Sequence, residues 1–162
     1  TEEQLRSIKD TSSKVAILKS ANMSLGINML FKLLQEATVI LKDAGFDIEI
    51  VEKHHNQKLD APSGTALAFA DVINDTLNKE YSYKFDRSGD HVKRPKKEIG
   101  ISAVRGGTIV GDHDIIFAGI DEVITFKHTA YSRAIFAKGA IQAAKYLNGK
   151  TAGMYQMSDV IG

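Results

Sequence analysis

Three strand-like runs follow one another late in this 162-residue chain, at 98–105, 108–119 and 122–129, with only Gly106-Gly107 and Gly119-Ile120-Asp121 between them. Gaps this short leave no room for a crossover helix. They predict a meander of mostly antiparallel strands, with Gly106-Gly107 as a hairpin turn. What precedes them differs in kind. Ile27, Leu30, Leu34, Ala37, Val39 and Leu41 recur at helical rather than two-residue intervals, and Gly45 supplies a C-terminal cap. Residues 46–53 then read as a strand with Ile48 and Ile50 on one face. A second helix is expected over 65–79, and a long last helix runs from a Ser132 cap through 147, closed by Asn148-Gly149. This order describes an α+β domain whose mostly antiparallel or mixed sheet carries helices on one face. Alternating Ile99, Ile101 and Ala103, with Val123 and Thr125 across a neighbouring strand, predict apolar surface on the other face, suited to packing between subunits.

The ends and the linker are less regular. Thr1 and Gln4 form a capping box for a helix over 2–9, and Val15-Ala16-Ile17-Leu18 reads as a buried strand. Residues 80–97 are polar and loop-like. Within them Lys93-Arg94-Pro95-Lys96-Lys97 reads as a solvated loop, with a functional alternative in which Lys93 or a neighbour reaches over an anionic substrate or cofactor. Composition bears on function mainly by exclusion. A net charge of +1 argues against a nucleic-acid partner, and no apolar run approaches the roughly 18 residues of a membrane span. With no Cys, the chain has neither disulfides nor a thiol nucleophile. No metal is expected, because the usual Cys and spaced-His ligand patterns are missing.

The chemistry is concentrated between the first long strand and the helix after it, in His54-His55-Asn56-Gln57-Lys58-Leu59-Asp60-Ala61-Pro62-Ser63-Gly64-Thr65-Ala66. Pro62 has no N–H to lose at a helix start, Ser63 caps the orphan amides, and Gly64 lets a ligand come close to the backbone. Amides at such a start favour anions, and Lys58 adds a full positive charge to the same place. Adjacent His54 and His55 are expected to point to opposite faces and so to differ in role, one of them as a general acid near neutral pH.

This segment resembles the signature of the dihydrodipicolinate reductases, enzymes of the diaminopimelate route to lysine. The resemblance runs along the chain, through Ser20-Ala21-Asn22-Met23-Ser24-Leu25-Gly26 upstream and the stretch from Tyr131 to Ala140 downstream. It implies His54 as the acid/base and Lys58 as the catalytic lysine, with His55, Gly64 and Thr65 contacting substrate. It also implies a nicotinamide-side loop at Ser20, Ala21, Asn22 and Met23, and Arg133 and Phe136 approaching the cofactor from the far side. Many relatives carry an aromatic residue where this chain has Met23. The implied cofactor is NADPH or NADH, the substrate a cyclic dicarboxylate, the assembly a homotetramer and the location cytoplasmic.

The chain has no G-x-G-x-x-G turn to cradle a pyrophosphate. It is therefore expected to be a piece lacking most of a nucleotide-binding domain and to bind dinucleotide poorly. On this reading residues 1–24 are a remnant of that domain, 25–132 the substrate-binding and oligomerisation domain, and 133–162 a C-terminal helix and tail packing toward the nucleotide-binding domain. Two alternatives are a catalytically silent oligomerisation module and another two-domain nicotinamide oxidoreductase. Within the latter, a semialdehyde dehydrogenase would need the absent thiol.

Overall fold

The computed structural model describes all 162 residues, Thr1–Gly162. They form two compact units, one built from residues 1–29 and 133–162 and the other from 30–132.

The first unit contains α1 (Glu2–Ser12), β1 (Ala16–Leu18), the start of α2 (Leu25–Leu41), α4 (Ala134–Leu147), β7 (Gly153–Tyr155) and α5 (Met157–Ile161). Thr1 and Gln4 form the predicted capping box, and α1 extends three residues beyond the expected end. β1 is only half-buried, because it pairs in parallel with β7 alone, Ile17 opposite Met154. Neither β7 nor α5 was legible in the sequence. Each is too short for a period to develop, and β7 exists only because β1 offers an edge. The last long helix begins at Ala134 with Arg133 at its cap position and no side-chain cap bond, not at a Ser132 cap. Its end follows expectation, with Gly149 in the left-handed region at φ 76°.

The second unit is a five-stranded sheet in the order β3-β4-β2-β5-β6, from β2 (Asp47–His54), β3 (Ser82–Lys84), β4 (Glu98–Arg105), β5 (Gly111–Ala118) and β6 (Val123–Ala130). β3, β4 and β2 run parallel, and β2, β5 and β6 antiparallel. The α+β class with a mixed sheet is as expected. The meander is not. β4 and β5 do not pair; β2 lies between them. Gly106-Gly107 therefore carries the chain across the end of β2 and does not make a hairpin. The Gly106 amide donates to the His54 carbonyl (2.9 Å), the Gly107 carbonyl accepts from Asn56 (3.2 Å), and Gly107 has φ 51°. A hairpin and a step across one strand need similar glycine-rich links, so the link alone could not distinguish them. The decision belongs to the passage from β2 through α3 (Gly64–Thr76), β3 and residues 85–97 to β4, which sets β4 parallel to β2 and leaves the other edge of β2 for β5.

The register also corrects the expected open face. Ile99 and Ile101 pair with Ile48 and Ile50, and all four are buried on the helix-covered side with Ile115 and Phe117. Val123 and Thr125 point the other way, beside Ala118 and Ile116. α3 packs on the covered face through Phe69, which is fully buried with its ring 4.9 Å from that of Phe31 on α2 and 5.8 Å from that of His113 on β5. Burying such a ring contributes about 1.5–3 kcal/mol. The expected loop 80–97 contains β3, and its basic run is not uniformly solvated. Arg94 bonds Glu49 (2.9 Å), Asp47 (2.8 Å) and the Ile48 and Glu98 carbonyls, clamping the start of β2 to that of β4. Lys97 pairs with Glu80, and Lys93 is exposed. No helix is long and apolar enough to cross a membrane.

Candidate active site

The site grows from the pleat of β2. Residues two apart share a face, so Glu52 and His54 continue the row of Ile48 and Ile50 into the covered side of the sheet. Glu52 is wholly buried and His54 is 8% exposed. A carboxylate in such a place is costly unless its lone pairs are satisfied. Here they are. One oxygen accepts from Arg105 Nη2 (2.6 Å) and the Ser63 amide (2.9 Å); the other accepts from Arg105 Nη1 (2.8 Å) and lies 2.5 Å from His54 Nδ1. Arg105 comes from β4, where it faces His54 across the ladder, and it also donates to the Asp60 carbonyl (2.6 Å). Burial by itself raises the Glu52 carboxyl, but the hydrogen bonds from Arg105, His54 and Ser63 outweigh it and hold the group below its ordinary value.

Through Ser63 the same network sets the start of α3. The Ser63 side chain accepts from the Ala66 amide (3.2 Å) as N-cap and shares a hydrogen bond with His113 Nε2 (3.1 Å). His113 is 4% exposed on β5, opposite Glu52, with its ring edge-on to His54 at 5.2 Å between centroids. Burial first, and the neighbouring His54 second, depress it from 6.5 to about 4. It is therefore neutral at neutral pH.

The expected anion seat lies at the outer end of this network. Lys58 donates to the Asp60 carboxylate (2.8 Å), which Lys58 and burial push in opposite directions, with Lys58 prevailing and the Gly64 amide adding to it, so that Asp60 sits below its ordinary value. An ammonium thus already holds one carboxylate close to the helix start, that of the protein itself. Space remains open over Gly64, where an added Cβ would meet nothing within 4 Å; Thr65 is half-buried. His55 lies just beyond β2 and is only half-buried, in contrast to His54. A separate cavity of about 390 Å³ is lined by Glu49, Lys84, Arg87 and Ser102, with Ala61 and Pro62 on its rim, and involves none of the expected catalytic residues.

The remaining predicted residues fall in the first unit. Ser20, Ala21, Asn22 and Met23 form a loop tied to the first turn of α2: Asn28 donates to the Asn22 carbonyl (2.8 Å) and the Ser24 carbonyl (2.7 Å), and Asn22 Oδ1 accepts from the Ser24 amide (2.8 Å). Gly139 on α4 touches the Met23 carbonyl so closely that any side chain there would collide with it. Arg133 and Phe136 begin the same helix, so the loop and the start of α4 belong to one local construction.

Sequence reasoning overlooked Glu52, Arg105, His113 and Asn28. For Glu52 a signal was present: it continues the apolar row of Ile48 and Ile50, and a carboxylate in a core row calls for a partner. Arg105 and His113 join it only through strand register. No group of three or more His, Asp or Glu side chains is arranged to hold a metal ion.

Residues 26–161 match the family model described as "Dihydrodipicolinate reductase, C-terminus". The 4-hydroxy-tetrahydrodipicolinate reductase of Clostridium tetani is 56% identical over 158 residues, covering 97% of this chain and 61% of that protein. Its counterpart from Caldanaerobacter subterraneus subsp. tengcongensis is 54% identical over 161 residues, covering 99% and 63%. A solved structure, dipicolinate-bound dihydrodipicolinate reductase from Paenisporosarcina sp. TG-14, aligns with a TM-score of 0.70 at 27% identity, over 96% of this chain and 59% of that one. The chain therefore spans less than two thirds of the length of these relatives.

Proposed function

The chain belongs to the dihydrodipicolinate reductase family, of which it carries the C-terminal region, and from that premise we propose that it holds the substrate site of a 4-hydroxy-tetrahydrodipicolinate reductase of lysine biosynthesis. The observation that carries this reading is the Lys58 ammonium held on a carboxylate just before the Ser63-capped start of α3, on the connection that leaves the buried His54. Such a seat suits a dicarboxylate, and the related Paenisporosarcina reductase was solved with dipicolinate bound. The matched relatives favour neither a silent assembly module nor a different oxidoreductase.

In this reading NADPH or NADH supplies a hydride to a cyclic unsaturated imine. The Ser20–Met23 loop, braced by Asn28 and Gly139, fits a fixed wall on the nicotinamide side, with Arg133 and Phe136 approaching from the start of α4. The chain has no glycine-rich turn for the pyrophosphate. Lys58 anchors one substrate carboxylate, taking it in place of Asp60, and stabilises developing negative charge. His55 and the Gly64 and Thr65 amides hold the dicarboxylate. Hydride addition leaves electron density on the adjacent carbon, where a proton must arrive, and His54 is its donor. A well-placed acid is worth about 10² to 10⁴ in rate. A homotetramer formed through the open sheet face and a cytoplasmic setting belong to the same reading. Val123, 63% exposed on that face, gives the assembly an apolar contact.

Calorimetric titration of pyridine-2,6-dicarboxylate into the polypeptide and its Lys58→Ala variant tests the seat. Binding that weakens about tenfold or more in the variant is expected, the size of a lost charge-assisted hydrogen bond. Equal affinity in the two proteins, or no binding to either, counts against it.

A further inference from the structure

The Glu52 carboxylate has two acceptor sites on each oxygen, and in this structure each oxygen meets two nitrogen donors or ring nitrogens. Arg105 and the Ser63 amide supply three of the four protons, and neither can do anything but donate. Glu52 is ionised, because these bonds hold its carboxyl low despite burial. An ionised carboxylate accepts only, so the fourth contact, to His54 Nδ1 at 2.5 Å, requires the proton to be on Nδ1. The opposite ring nitrogen is placed differently. Gly111 on β5 lies beside Nε2: a Cβ there would lie 3.1 Å from Nε2, 3.5 Å from Cδ2 and 3.9 Å from His113 Cε1. Gly111 has no positive φ, so this position is a matter of space and not of backbone strain.

We propose that Glu52 is the positioning residue of the reaction: it holds the proton of His54 on Nδ1, making Nε2 the nitrogen that exchanges a proton with substrate, while Gly111 keeps that nitrogen uncovered. This rests on the reading of His54 as the acid. In the step itself the Nε2–H bond breaks, a C–H bond forms at the carbon next to the one that received hydride, and the electron pair stays on Nε2. The ring is left neutral with Nδ1–H still donated to Glu52, and Nε2 regains its proton from water. Arg105 and the Ser63 amide prevent the carboxylate from rotating, so the ring is aimed as well as protonated. Glu52 is not the acid, since its oxygens are already filled by donors.

The test reads the tautomer directly. In the ¹⁵N-labelled polypeptide, long-range proton–nitrogen correlation distinguishes a protonated from an unprotonated ring nitrogen, and the His54 signals are assigned by their loss in His54→Gln. Wild-type His54, once neutral by its own titration curve, is expected to show Nδ1–H and a bare Nε2. In Glu52→Gln, where the remaining amide oxygen must also serve Arg105 and Ser63, the Nδ1–H population is expected to fall and Nε2–H to appear. Affinity for pyridine-2,6-dicarboxylate is followed in parallel: because Glu52 also holds the Ser63 amide at the start of α3, a fall in affinity with the tautomer pattern unchanged would mark Glu52 as merely structural and overturn the proposal. Nε2–H in the wild-type ring overturns the proposal without any variant, so a Glu52→Gln protein that fails to fold does not protect it. An unchanged tautomer in a folded Glu52→Gln protein overturns it equally. Failure of the reductase reading looks different: wild-type protein that binds no dicarboxylate removes the seat, whereas the tautomer still decides the Glu52–His54 relation.

Discussion

The two faces of the five-stranded sheet carry charged clusters built from adjacent residues, and they behave differently. On the covered face Glu52, His54 and Arg105 close around one carboxylate. On the open face Lys53 lies between Asp112 (3.3 Å) and Asp114 (2.7 Å), which Lys127 also joins at 3.3 and 3.0 Å. Glu52 and Lys53 are neighbours in sequence, as are Asp112 and His113. Only the alternation of the pleat separates them. Glu52 is wholly buried, whereas the Lys127 side chain is 52% exposed. The open cluster reaches water through its lysines, although Asp112 and Asp114 are only 15% and 16% exposed, so its ion pairs are screened more than those of Glu52. The covered cluster has no such screening: each donor is required, because a buried charge that loses one partner has no solvent to replace it. Similar side chains thus make a closed, buried network on one face and a partly solvated one on the other.

The sharpest way to break this contrast is to remove one partner from each cluster. Arg105→Leu takes two donors from the buried Glu52 carboxylate and is expected to destabilise the fold by about 3–5 kcal/mol in urea unfolding. A loss near that of a surface substitution would mean that the covered cluster is as loose as the open one. Next in size is a pH effect confined to the covered face. His113 has a folded value of about 4 against 6.5 when free, so the unfolded chain binds the extra proton between those values. Stability from this group is complete above pH 6.5 and is lost as pH falls toward 4, by up to roughly 3 kcal/mol at about 1.4 kcal/mol per unit. Urea midpoints followed from pH 7 to 4.5 should show this slope, and His113→Gln should flatten it. The Glu52 contribution has the same sign, since its carboxyl is held low, but is lost at lower pH, below the ordinary carboxylate value of 4.5. The smallest expected effect is Lys53→Met on the open face. Its ammonium is raised mainly by the hydrogen bond to Asp114, yet the side chain is 31% exposed, and the screened loss should be under about 1 kcal/mol. A larger loss would show the open face to be less accessible to water than the single chain suggests.

Local chemistry was legible where the cause was itself local. The capping box of α1, the Ser63 cap of α3 and the left-handed Gly149 after α4 each depend on residues within a few positions of one another, whereas Gly45, also left-handed, lies four residues past the end of α2 and does not cap it. β4 was legible to the residue, because its ends coincide with Glu98 and the Gly106-Gly107 link. The pairing of β4 was not, since both a hairpin and a step across β2 satisfy the same glycines. β3 and β7 have three residues each and take their form from a partner edge. The His54–Ser63–Gly64 segment could be read as a site, yet its central carboxylate was passed over as one more charge before a histidine pair.

By itself the sequence determined the kinds of element, the Ser63-capped start of α3, and the placing of His54 and Lys58 on either side of one short turn. These follow from backbone preferences and side-chain alternation, which act over a few residues. Tertiary structure decided that β2 is the central strand, that Arg105 and His113 meet Glu52 from its two sides, and that Lys53 and Glu52 occupy opposite environments. Those outcomes depend on strand order and burial. Both are settled only when distant segments compete for the same edge and the same dry face.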